Sequence, residues 1–146
     1  MTMVIFQNEH FVVSQCCTCN IPGYLILECR AQASSIGELP RSAQMELGVL
    51  LGRLELGVIN VLNPEHVYCG KFSELGGNLH FHVFPRLSSM TSQYLECYPT
   101  QKGLIHGPML FDWAREHYKV EERDLSIEVI SILSEIKSHL EMPRDT

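Results

Sequence analysis

The sequence predicts an α+β domain: an antiparallel sheet with one long helix packed on it and a helical C-terminal extension. Three observations predict it. Short runs of strand formers flank a single long amphipathic stretch. The two runs after that stretch are joined too closely for a parallel crossover. The C-terminal third then returns to helical periodicity. A length of 146 residues fits one domain, with a core over about 4–88 and an extension over about 89–146. No repeat or low-complexity stretch interrupts it, and only the polar tail 143–146 reads as a linker.

In chain order, the first clear alternation covers residues 10–14, followed by turn-like polar residues. Pro22-Gly23 is a turn that launches residues 24–29, Tyr-Leu-Ile-Leu-Glu-Cys, short and apolar enough for one buried strand. Ser42 is the expected cap of a helix whose apolar residues Leu47, Leu50, Leu51, Leu54, Val58, Val61 and Leu62 recur every three or four positions. Asn63-Pro64 ends it, because a proline disfavours helical geometry in the residue before it. Residues 67–72 form a strand, Gly76-Gly77 a tight turn, and 79–84 a second strand stopped by Pro85. The pattern then loosens for some twenty residues, with Pro99, Gly103, Gly107 and Pro108 as punctuation. Residues 110–118 are a short helix carrying the only tryptophan, Trp113. Asp124 is the expected N-cap of a last helix with Leu125, Val129, Ile132, Ile136 and Leu140 on one face.

Composition narrows the function classes. Apolar residues are 45% and charged residues 19% of the chain, enough for a core. Seventeen acids against eleven bases leave a net charge of −6, which argues against nucleic acid as a partner, since phosphate backbones need a basic surface. No apolar run nears the roughly 20 residues of a membrane helix, and the N-terminus lacks the pattern of a signal peptide. The expected setting is the cytoplasm. Cys16, Cys17, Cys19, Cys29, Cys69 and Cys97 then read as free thiols rather than disulfides. The tight group at 16, 17 and 19 lacks the second cysteine pair that a structural zinc site brings.

The chemistry concentrates on the strand at 79–84. Side chains alternate, so Leu79, Phe81 and Val83 face a core while Asn78, His80, His82 and Phe84 face the other way. Two imidazoles about 7 Å apart on one face suit proton transfer, nucleophilic attack or metal binding. Three readings are open. A metal site needs further ligands, for which His66, Glu74 and His106 are candidates. Covalent catalysis uses one imidazole as nucleophile and the other at the leaving group or charged oxygens. A nucleotide-binding module would not react at all. Neither Gly-x-Gly-x-x-Gly nor a phosphate-cradling Gly-Lys-Ser/Thr loop is present.

Asn78-Leu79-His80-Phe81-His82-Val83-Phe84-Pro85-Arg86 resembles the signature of the histidine triad (HIT) superfamily, His-φ-His-φ-His-φ-φ with φ apolar. Upstream, Ile21-Pro22-Gly23-Tyr24-Leu25-Ile26-Leu27 resembles that family's Pro-Gly-His strand, and Leu39-Pro40 precedes a helix like its long helix. The resemblance covers most of residues 10–86 and points to proteins like bacterial diadenosine polyphosphate hydrolases. It implies that His80 attacks the α-phosphorus of a nucleoside polyphosphate or phosphoramidate, forming a nucleotidyl-histidine intermediate. His82 would bind phosphate oxygens or assist the leaving group. It further implies a homodimer and no required cofactor, with Mg²⁺ arriving on a polyphosphate substrate. The chain departs from the pattern at Asn78, the first triad position, and at Tyr24, where the family has histidine. Both residues can hydrogen-bond, so a different helper network is expected, and a catalytically weak nucleotide-binding protein is the alternative. Asn20 is a candidate for a ribose hydroxyl or a turn, Glu74 for ribose, water or a neighbouring subunit, and Arg86 for phosphate or a solvated strand end. Phe111, Trp113 and Tyr118 read as helix packing, while the segment 107–113 is a candidate for specificity.

Overall fold

The computed structural model describes residues 3–74 and 76–142, so the tail 143–146 lies outside the described residues. Strands β1 (Val4–Gln7), β2 (Phe11–Gln15), β3 (Leu25–Cys29), β4 (His66–Gly70) and β5 (His80–Arg86) form one sheet in the order β1-β2-β3-β5-β4. Every neighbouring pair is antiparallel. The helices are α1 (Arg41–Leu62), α2 (Ser88–Cys97), α3 (Gly107–His117) and α4 (Ile127–Glu141). No helix among the described residues is long and apolar enough to cross a membrane.

The alternation read from the sequence sorts the core into two layers. On one face, Leu25, Leu27, Phe81 and Val83 pack with Leu47, Leu50, Leu54 and Val58 of α1 and Leu133, Ile136 and Leu140 of α4. Each fully buried aliphatic side chain there contributes about 1.5–3 kcal/mol. On the other face, Tyr24 and Phe84 pack with Met90 and Tyr94 of α2 and Leu110, Phe111 and Ala114 of α3. Residues after 88 therefore complete the core on both sides of the sheet, with α4 lying beside α1.

Several boundaries differ from the sequence expectations, each for a local reason. β1 was not anticipated, and it pairs with β2 in a register that shifts between Val4 and Phe6. Helix α2 forms within the segment read as loose, because Met90, Thr91 and Tyr94 are buried although the stretch is rich in serine and threonine. Helix α1 starts at Arg41 after Pro40, so Ser42 lies inside its first turn and is not the cap. It ends as expected, with Asn63 in the left-handed region at φ 45° and its N–H donating to the Ile59 carbonyl at 2.9 Å. Pro85 does not stop its strand. Pairing of β5 with β3 ends at Leu25↔Val83, so Pro85 has a strand on one side only, where a residue without an N–H is tolerated. Asp124 belongs to a 3₁₀ turn, and the cap of α4 is Ser126, whose hydroxyl accepts the Val129 N–H at 3.3 Å.

The Pro22-Gly23 turn fixes where β3 begins. Gly23 has φ +77°, and a Cβ there would lie 2.5 Å from Leu62 Cδ1 at the end of α1. The tight fit of turn against helix sets Tyr24, the next residue, in the core of the second layer at 0% exposure.

Candidate active site

β5 and α3 build the site. β5 presents His80 and His82 on the face that α3 covers, with ring centroids 5.2 Å apart at 70°. His82 is 7% exposed and enclosed by aromatic rings: Phe111 at 5.4 Å, Phe72 at 5.9 Å and Tyr24 at 5.9 Å. The Tyr24 hydroxyl lies 2.7 Å from His82 Nδ1. His80 is half-buried, and its Nδ1 is 3.3 Å from the Asn78 carbonyl oxygen.

Two cavities share Phe72, His82, Pro108 and Phe111, and together make one cleft with two lobes. An apolar lobe of about 350 Å³ runs along β4 past Val67, Tyr68 and Gly70. A polar lobe of about 360 Å³ holds His80, Glu74, Asp112 and Arg115. Gly107 closes the far end, where a Cβ would lie 3.2 Å from the Tyr68 ring. His106 caps α3 there, its Nδ1 accepting the Met109 N–H at 3.2 Å.

The electrostatics of the pair follow from burial. His82 has its pKa lowered from 6.5 to about 4, first by desolvation, then by the Arg115 cation and His80. At neutral pH it is an uncharged imidazole. Tyr24 is pushed up, chiefly by burial, so its hydroxyl keeps its proton. A protonated hydroxyl can give its hydrogen to Nδ1 of a neutral imidazole, and in that tautomer the ring proton sits on Nε2. On His80 the polarity is reversed. A carbonyl can only accept, so Nδ1–H donates to Asn78 O, and in the neutral ring Nε2 carries the lone pair.

The residues singled out in the sequence divide into two groups. His80, His82, Asn78, Tyr24 and Glu74 gather at the cleft or directly behind it. Tyr24 contacts the last histidine of the motif rather than His80, and it does so from the buried side. Asn20 and Arg86 are elsewhere. The Asn20 Oδ1 accepts the Ser126 N–H at 3.0 Å, tying the β2–β3 connection to the start of α4. Arg86 is six residues along β5 from His80, roughly 20 Å at strand spacing. It donates to the Tyr68 hydroxyl at 3.0 Å and pairs with Glu65 at 3.1 Å. His66 pairs opposite Arg86 at that same far end. Among the described residues, no group of three or more His, Cys, Asp or Glu side chains is placed to hold a metal ion.

Sequence reasoning missed Arg115 and Phe72 at the cleft, whereas Asp112 and Phe111 lie in the segment 107–113 read as a candidate for specificity, with the Phe111 ring itself assigned to helix packing. Phe111 does both, since its buried ring also lines each lobe. Arg115 is exposed, with its guanidinium carbon 5.3 Å from the Phe111 centroid. The available signal was the spacing of Pro108, Phe111, Asp112 and Arg115, one helical face at steps of three and four.

No family model matches the chain, and no curated protein matches it in sequence. Its structure, however, is similar to solved histidine triad proteins. One from Marinobacter aquaeolei VT8 is 18% identical with a TM-score of 0.62, covering 96% of this chain and 89% of that one. A histidine triad nucleotide-binding protein from Sulfolobus tokodaii is 12% identical with a TM-score of 0.61, covering 97% and 85%. One from Bradyrhizobium japonicum is 22% identical with a TM-score of 0.54, over 60% of this chain, which spans 65% of that protein's length. These neighbours in space show that the chain has the α+β fold of the histidine triad proteins.

Proposed function

We propose that the chain is a nucleotidyl hydrolase or transferase acting on a nucleoside polyphosphate through His80. The observation that carries this reading is the contact of His80 Nδ1 with the Asn78 carbonyl, which in the neutral ring puts the lone pair on Nε2, at the polar lobe. That nitrogen attacks the α-phosphorus, the phosphoanhydride bond breaks, and water then cleaves the nucleotidyl-imidazole. His82, holding its proton on Nε2, donates to phosphate oxygens, and Arg115 faces the same charge. The apolar lobe, walled by Phe72 and Phe111, accommodates a planar base.

The neutral state of His82 bears on the substrate. An imidazole with a pKa of about 4 is scarcely charged at neutral pH and is a poor reservoir of protons for a leaving amine. A polyphosphate leaves as an anion and needs none. An anhydride such as a diadenosine polyphosphate therefore fits this site better than a phosphoramidate. Mg²⁺ enters only with the polyphosphate, and no resident cofactor is invoked. The six free cysteines fit a reducing, cytoplasmic setting. A homodimer fits the outer face of α1, where Met45, Val49, Leu56 and Ile59 are exposed at helical spacing.

The same neutral His82 favours one second reading, a nucleotide-binding protein with weak turnover. Brief mixing with diadenosine tetraphosphate, a gentle quench and intact-protein mass spectrometry separate the two. A nucleotidyl adduct on wild type and none on His80→Ala is expected. Bound nucleotide with neither adduct nor product would instead establish the binding module.

A further inference from the structure

The three cysteines between β2 and β3 are not used by the chemistry above, yet they lie directly behind it. Cys16 and Cys19 are both buried and both free. Thr18 stands between them, its hydroxyl 3.4 Å from Cys16 Sγ and 3.9 Å from Cys19 Sγ. The Cys16 N–H donates to the Tyr24 carbonyl at 2.8 Å, and Cys19 Sγ donates to the Arg115 carbonyl at 3.5 Å. The pair therefore touches both the residue that holds His82 and the helix that carries the cleft's arginine.

We propose that Cys16 and Cys19 form a redox-active dithiol, oxidised by hydroperoxides to an intramolecular disulfide. The two sulfurs divide the work. Cys16 is lowered to about 6, above all by the neighbouring Cys19 side chain and also by Thr18 and the Arg115 cation, against the pull of burial. Cys19 is pushed up by the Cys16 side chain beside it and by burial. Cys17, Cys29 and Cys69 are all pushed up, with burial the first cause, and Cys17 Sγ is turned to the Gln15 carbonyl at 3.3 Å. Cys16, at 9% exposure the more accessible sulfur against 2% for Cys19, is thus the attacking thiolate and Cys19 the resolving thiol.

In the first step the Cys16 thiolate attacks a peroxide oxygen, the O–O bond breaks, and the departing oxygen takes a proton. Cys16 becomes a sulfenic acid. Cys19 sulfur then attacks Cys16 sulfur, and hydroxide leaves with the Cys19 proton as water. Two thiols lose two electrons, and the hydroperoxide is reduced by two. The new bond takes Cys19 Sγ away from the Arg115 carbonyl, so oxidation is felt in the last turn of α3.

The test uses the full-length chain and hydrogen peroxide, with thiol count and mass as readouts that do not depend on turnover. Expected on wild type is a loss of 2 Da, four alkylatable thiols in place of six, a peptide linking Cys16 to Cys19, and reversal by dithiothreitol. Cys19→Ser should stop at a sulfenic acid on Cys16 that dimedone traps, while Cys17→Ser should behave as wild type. Six thiols surviving in wild type, or a link through Cys17, would overturn the proposal. The wild-type peptide map decides the matter even if Cys19→Ser fails to fold.

Discussion

Acid is the perturbation that isolates His82. In the unfolded chain its imidazole takes a proton near pH 6.5, whereas in the folded protein it does so only near pH 4. Between those values the unfolded state binds more protons, so stability falls as pH falls, and the loss saturates below about pH 4. Integrating the two titrations from about pH 7.5 to about pH 4.5 gives a loss of about 2–3 kcal/mol from this one group. Carboxylates elsewhere also titrate in acid, and so the useful quantity is a difference. His82→Gln keeps a polar group beside the Tyr24 hydroxyl but has nothing to titrate. Urea unfolding followed by far-UV circular dichroism gives the stability of both proteins at each pH. The advantage of wild type over the variant should shrink by about 2–3 kcal/mol on acidification. Parallel profiles, with the advantage unchanged, would show that His82 is not held neutral by its burial and would refute the proton placement argued for the site.

Three further outcomes are expected. Tyr24→Phe removes the donor at 2.7 Å from a buried nitrogen; it should cost about 1–3 kcal/mol in urea unfolding and lower turnover, because the proton of His82 is no longer confined to Nε2. Arg115→Met keeps an apolar stem on Phe111 but removes the cation, so the His82 resonance should titrate at higher pH by NMR, and affinity for a polyphosphate should fall about tenfold; an unmoved titration would remove Arg115 from the site's electrostatics. Leu56→Glu places a charge on the exposed face of α1, and sedimentation should shift from dimer to monomer with stability nearly unchanged; a wild type that already sediments as a monomer would end the homodimer proposal.

The parts of this molecule that were legible in its sequence are those written in local period. Alternation on β5 alone placed Phe81 and Val83 in the α1 layer and His80 and His82 opposite, and Asn63-Pro64 alone ended α1. What escaped depends on groups far apart in the chain. Asn20 has the same composition whether it binds ribose or caps a turn; only the arrival of Ser126, 106 residues later, assigns its oxygen. Arg86 looked suited to phosphate until β4 brought Glu65 and Tyr68 against it. Helix α2 is mostly polar because a single edge of it, Met90 and Tyr94, reaches the core. Arg115 carried a readable helical spacing, but nothing local says which face of α3 meets the histidines.

The exchange of histidine for tyrosine at position 24 makes sense once these placements are combined. An imidazole there would have two nitrogens whose roles can swap, so the proton on its neighbour could swap with them. A tyrosine hydroxyl that burial keeps protonated has one hydrogen to give, and His82 Nδ1 is where it goes. The single N–H of the neutral ring is then confined to Nε2, and the low basicity of the enclosed ring keeps a second proton from joining it. Such a pair is a fixed donor rather than a proton relay. A fixed donor stabilises charge developing on oxygen, but it cannot hand a proton to a basic leaving group and recover it cheaply. Under the proposed function, Tyr24 therefore biases the site toward leaving groups that depart as anions, and it does so without touching His80, the proposed nucleophile two residues away on the same strand.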